Sequence, residues 1–191
     1  MNELSIQKGI RDRWSTRAFD AERPVEQDKL RAIFEAFRWA PSSTNVQPWS
    51  IIAGINFDEC HKKIFSTLRE GNQIWAQNAP VLLITVANMI RNGRPNRFAF
   101  HDVGLASENL NLQAWELDLY CHFMGGFYPE KAKEVFEIPE EYEPVAVAAI
   151  GYIGDSKSLP EDLQKREMGP RERKPLDKFV FSGEWNVPLA I

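Results

Sequence analysis

Arg11-Asp-Arg-Trp-Ser-Thr-Arg17 sets Arg13, Ser15 and Arg17 at alternate positions. In an extended stretch that spacing turns all three side chains to one side. Two guanidinium forks and a hydroxyl converging there make a phosphate site, because arginine gives bidentate, charge-assisted hydrogen bonds. The alternative is a solvated charged face with Asp12 and Asp20 as its partners. A second basic cluster, Arg171-Glu-Arg-Lys-Pro175, lies in the tail of an otherwise acidic chain. If the tail folds back, Arg171 and Arg173 join Arg13 and Arg17 around one anion. A phosphate monoester, at about -1.5 to -2 charges, suits such sharing.

Two further stretches offer polar contacts of another kind. Pro41-Ser-Ser-Thr-Asn-Val-Gln-Pro-Trp49 is a dense array of short hydroxyls and amides stiffened by prolines. It suits a planar heterocycle with alternating carbonyls and N–H groups, and equally an ordinary polar turn with Trp49 in the core. Gly125-Gly126-Phe127 follows an apolar run. Paired glycines let backbone N–H groups approach a ligand, although a plain tight turn would use them as well.

These stretches belong to a chain of 191 residues with 43% hydrophobic residues and a formal net charge of -4. That composition is globular and fits one domain, residues 1–191, with residues 155–191 as an extended arm. Disorder, collagen and coiled coil are excluded. The longest apolar runs, residues 79–87 and 145–150, are far short of the roughly 20 residues of a membrane helix, so no membrane partner is expected. The net acidity argues against nucleic acid as the main partner. Residues 1–12 mix charge and polarity without an apolar core, so Cys60 and Cys121 are expected as reduced thiols in a cytoplasmic protein.

The elements that position the motifs follow from periodicity. Leu30, Ile33, Phe34 and Phe37 recur at helical spacing, predicting a helix over residues 25–40 that Pro41 ends. A strand over residues 50–55 follows, then a helix over 58–68 stopped by Gly71-Asn72. Residues 81–87 are apolar on both faces and predict a central buried strand. Residues 91–97 predict a loop. Residues 102–119 carry two apolar stripes, which predicts a central helix packed on several neighbours. Strands over 120–123 and 145–153 enclose a short helix over 129–136, and after Gly154 the chain turns polar and proline-punctuated. Helices interleaved with few strands give an α+β or α/β sandwich.

No glycine-rich dinucleotide fingerprint, P-loop, zinc-protease motif or nucleophile elbow is present. His61, His101 and His122 stand at no metal-ligand spacing, so no metal is expected.

Together, Arg13-Trp-Ser-Thr-Arg17, Pro41-Ser-Ser-x-Asn45-x-Gln-Pro-Trp49, residues 102–117 with Asn109-Leu110, Gly125-Gly126-Phe127, Ile150-Gly-Tyr152 and Arg171-x-Arg-x-Pro175 resemble the FMN-dependent nitroreductase family. The resemblance runs in order from about residue 10 to residue 177. It implies that family's α+β fold: a central, mostly antiparallel sheet flanked by helices, in a homodimer with FMN at the subunit interface. The arm would then lie over the partner subunit. By the same resemblance Arg13, Trp14, Ser15, Arg17, Arg171 and Arg173 mark the cofactor's phosphate side, although Trp14 stands where a basic or polar residue is common and cannot hold phosphate by charge. Pro41, Ser42, Ser43 and Asn45 would reach the flavin from the partner chain, with the Gly125 and Gly126 backbone near the ring. Asn72 matches a flavin-edge amide of the family only loosely.

The implied reaction is ping-pong: NADH or NADPH reduces FMN and leaves, and a small-molecule acceptor such as a nitroaromatic or quinone takes the electrons. The flavin carries that chemistry, so no side chain is singled out as catalytic. Alternatives on the same fold are dehalogenation or flavin cleavage, and a flavin-binding carrier or sensor without turnover. The stretch between the strand at residue 81 and the helix at residue 102 is short, so the helical excursion that roofs the substrate channel in longer members is reduced here.

Overall fold

The computed structural model describes residues 6–191. Two helices, α1 (Lys8–Asp12) and α2 (Gln27–Arg38), precede strand β1 (Trp49–Ile55). Helices α3 (Glu59–Ser66) and α4 (Glu70–Ala76) lead to β2 (Val81–Asn88), followed by a small hairpin, β3 (Ile90–Arg91) and β4 (Arg94–Pro95). The long helix α5 (Ala99–Glu116), β5 (Tyr120–Met124), α6 (Pro129–Phe136) and β6 (Tyr142–Gly151) complete the body, and α7 (Glu161–Glu167) lies in the tail.

One four-stranded sheet, ordered β1-β2-β6-β5, is antiparallel throughout. This is the α+β arrangement expected. Its central strand β2 is buried on both faces, and alternation sorts the side chains. Leu82, Ile84 and Val86 pack with Ile64 and Trp75 from α3 and α4. Val81 and Leu83 pack with Ile33 and Phe37 of α2 and Ala106 and Leu110 of α5. The register slips between Thr85 and Val86, opposite Pro144, whose missing N–H suits a bulge. Gly54 of β1 meets α3 backbone to backbone: a Cβ there would lie 2.1 Å from the His61 nitrogen. Only glycine permits that contact, and the Asp58 carboxylate caps α3 by accepting from the same His61 N–H at 2.7 Å.

Several expectations are corrected. Gly71-Asn72 does not stop a helix; it lies in the first turn of α4, where backbone N–H groups lack helical partners anyway and buried Trp75 anchors the turn. Residues 91–97 are not a plain loop, because Asn92 (φ 50°) and Gly93 (φ 72°) make the tight turn between β3 and β4. α1 went unforeseen, being one short turn with a single buried residue, Gly9. α5 packs one stripe inward and leaves Phe100 and Leu105 exposed, so within one chain it is not enclosed on all sides. The tail also has a part with its own core contacts: Leu159 and Leu163 are buried in the same cluster as Trp75.

Candidate functional site

The segment after α1 is extended, with Arg13 at φ -63°, ψ 145°. Arg13, Ser15 and Arg17 therefore face one side, and they line a cavity of about 340 Å³. The tail closes its other wall with Arg166, Glu167, Gly169, Arg171 and Arg173. Five arginines meet one carboxylate there. A cleft lined mostly by one sign of charge draws in an anion.

Each arginine has a distinct environment. Arg13 gives one terminal nitrogen to Ser15 Oγ at 3.2 Å, while its Nε is buried with no hydrogen-bond partner. A buried donor left unpaired costs roughly 1–3 kcal/mol, so it marks a place where an acceptor belongs. Arg17 stands 3.9 Å from Glu167 with 26% of its side chain exposed. Arg171 donates to the carbonyls of Arg11 (2.6 Å) and Arg13 (2.5 Å), so its guanidinium caps the end of α1. Arg173 is exposed and donates to the Glu172 carbonyl at 2.8 Å.

Glu167 ties the tail to the first segment. Its side chain is 7% exposed. One oxygen accepts from Trp14 Nε1 (3.1 Å) and Thr16 Oγ1 (2.5 Å), and the other from the Arg17 backbone N–H (2.9 Å). Trp14 therefore lines the cavity with its N–H already used and its ring packed edge-on against Tyr120 at 4.7 Å. His122 of β5 donates from Nδ1 to the Thr16 carbonyl at 2.8 Å and lies 4.5 Å from the Trp75 ring. Burial, above all, pushes its pKa down to about 4, and the charges of Arg17 and Arg13 act in the same direction, so the ring is neutral near pH 7. Cys121 next to it is fully buried, which drives its thiol far above the usual range.

Sequence reading missed Glu167 and Arg166. A signal existed: Leu163 and Glu167 stand four residues apart, on one inward face of α7.

The remaining sequence-named residues lie outside this cavity. Pro41, Ser42, Ser43 and Asn45 sit in a loop held against α5, where Ser43 N–H donates to the buried Asp102 carboxylate at 3.1 Å and Ser42 Oγ accepts from Gln47 N–H at 3.0 Å. Thr44, Asn45 and Gln47 all have positive φ, 49°, 55° and 52°. A β-branched threonine in that region is strained, and such strain clusters where a loop is held for a purpose. Gly125 and Gly126 follow β5; the Gly126 carbonyl accepts from Arg69 N–H (3.0 Å) and Asn72 Nδ2 (2.9 Å). A Cβ on Gly126 would lie 2.6 Å from that amide nitrogen, whereas Gly125 faces open space.

Comparison with known proteins bears on this arrangement. The nitroreductase family model matches residues 10–56 and 55–152. A solved structure described as an oxidoreductase containing FMN is 35% identical, with a TM-score of 0.90 over 97% of this chain and 95% of that one. A 15.4 kDa protein of Mycolicibacterium smegmatis is 33% identical over 69% of this chain and 88% of its own length. An FMN reductase [NAD(P)H] of Bacillus subtilis is 29% identical, covering 90% of this chain and 74% of that protein. No helix among the described residues is long and apolar enough to cross a membrane.

Proposed function

This chain belongs to the nitroreductase family, and on that premise we propose that it is an FMN-dependent oxidoreductase passing electrons from NADH or NADPH to a small-molecule acceptor, such as a nitroaromatic or quinone, in a ping-pong cycle. The observation that carries the reading is the five-arginine cavity with the orphaned Nε of Arg13. The 35%-identical structure containing FMN and the FMN reductase of Bacillus subtilis support the choice of cofactor.

When bound, FMN supplies hydride acceptance and return. The residues of the chain do the rest. Arg13, Ser15, Arg17 and Arg173 hold the phosphate by charge-assisted hydrogen bonds. Arg171 seats the tail on α1, and Glu167 fixes the extended segment from which Arg13 and Arg17 project. The exposed Gly125 backbone leaves room for a ring to approach.

The second half of each site comes, in this reading, from a partner copy. Ser42, Ser43 and Asn45 would supply short polar groups from the strained loop. A homodimer is supported by the apolar surface that one chain leaves uncovered: Trp185 is 82% and Ile191 87% exposed in the arm, alongside Leu176, Phe179 and Leu189. Phe100 and Leu105 on α5 add to it. A cytoplasmic location belongs to the same reading.

The test is flavin uptake. Protein stripped of flavin should regain a bound-FMN spectrum with added FMN, and the variant R13A/R17A should not. Equal uptake by both, or none by either, would remove the reading.

A further inference from the structure

The β3–β4 hairpin has an unusual charge pattern. Arg91 and Arg94 are direct cross-strand partners, flanking the Asn92-Gly93 turn. Directly opposed residues share one face, and like charges in that position are destabilising. Arg97 follows within three residues and is stacked over the Phe98 ring at 4.8 Å. None of the three guanidinium groups has an ion-pair or hydrogen-bond partner among the described residues. All three line a cavity of about 540 Å³ whose lining includes no carboxylate. The hairpin is not loose, however. Asn96 is buried, its N–H bonded to the Met89 carbonyl at 2.7 Å, and Asn88 Oδ1 accepts from Ile90 N–H at 3.0 Å. A rigid frame thus holds three like charges side by side with no carboxylate in the lining, an arrangement that a bound anion would relieve.

The hairpin stands beside the strained loop. Asn88 N–H, where β2 ends, donates to the Pro48 carbonyl at 2.7 Å, and Asp102, in the first turn of α5 just past the hairpin, accepts from Ser43. Loop and hairpin thus share one end of the sheet.

We propose that Arg91, Arg94 and Arg97 form a second anion site that binds the 2′-phosphate of NADPH. The site makes NADPH the preferred donor. This inference rests on the flavin oxidoreductase reading, in which loop 41–45 borders the partner's flavin. A phosphate monoester carries about two negative charges and accepts from several forks at once. NADH lacks that group, so the hairpin discriminates between the two donors.

Two measurements on the FMN-loaded protein test it. Calorimetry compares adenosine 2′,5′-bisphosphate with 5′-AMP, and anaerobic stopped flow gives the ratio of flavin reduction efficiencies for NADPH over NADH. The bisphosphate should bind about 10- to 100-fold more tightly than 5′-AMP, and R91Q/R94Q should remove most of that difference and of the NADPH preference. R94K, which keeps the charge but not the fork, should fall between. Equal binding of the two nucleotides, or a donor ratio unmoved by R91Q/R94Q while the FMN spectrum and melting curve are unchanged, overturns the proposal. Failure to bind FMN would instead strike the underlying reading, and the nucleotide comparison would still decide the hairpin.

Discussion

Glu167 and Thr16 are 151 positions apart, yet the carboxylate accepts the threonine hydroxyl at 2.5 Å while holding Trp14 and the Arg17 backbone with its remaining capacity. The tail and the first arginine segment are therefore one unit. The arginine-lined cavity exists because this contact closes it.

Replacing that carboxylate should loosen both halves. Glu167→Ala leaves three donors without this acceptor, all of them at buried or half-buried positions. Each costs roughly 1–3 kcal/mol in full burial, so a total of about 2–4 kcal/mol is expected. Urea unfolding measures it, and FMN affinity should fall in parallel. Glu167→Gln keeps one acceptor oxygen and should lose less of both.

Arg13 and Arg171 should separate cleanly. Arg13→Ala removes charge-assisted bonds worth roughly 1.5–3 kcal/mol, or about 10- to 100-fold in FMN affinity. Because its Nε is buried and unpaired, the flavin-free variant should melt no lower than the parent. Arg171→Ala instead frees the Arg11 and Arg13 carbonyls, so its first effect should be faster limited proteolysis near residues 169–175. Identical behaviour of the two variants would contradict these separate roles.

His122 gives the protein an acid limit. Its pKa is about 4 in the fold, chiefly from burial, and near 6.5 when unfolded. The unfolded chain therefore binds more protons between those values, so stability rises with pH across that window. The contribution is complete above about pH 6.5 and is lost as pH falls toward 4, up to about 3 kcal/mol. Thermal melts from pH 4.5 to 7.5 should show this slope, and His122→Gln should flatten it.

Gly126 and Gly125 should differ despite being neighbours. Ala at Gly126 pushes on the Asn72 amide and breaks its hydrogen bond to the Gly126 carbonyl, a loss of about 1 kcal/mol. Ala at Gly125 meets open space. Unfolding midpoints of the two variants decide, and Asn72→Ala should abolish the penalty at Gly126.

Much of this molecule could be read from its residues. The strand at residue 81 follows from a short run apolar on both faces and the helix at residue 25 from apolar periodicity, and both signals depend only on burial. Arg13, Ser15 and Arg17 fall together because alternate positions in extended chain share a side, and Arg171 and Arg173 join them as the second cluster suggested. Glu167 was hidden because one carboxylate in a charged tail looks like solvated surface until its three donors are in place. Gly71-Asn72 misled because a glycine in a first helical turn looks the same as one past a last turn. The β3–β4 hairpin was hidden by its size, since two-residue strands carry no periodicity. Pro41, Ser42, Ser43 and Asn45 lie outside the arginine cavity, and only the family resemblance, not their own spacing, assigned them to a partner's flavin.

The central claim is most directly tested by an anaerobic visible spectrum of the FMN-loaded protein before and after one equivalent of NADPH, then of NADH. The visible flavin absorbance should bleach with NADPH and return when a quinone is added. Bound flavin that neither donor bleaches would contradict it and leave a flavin-binding protein without turnover.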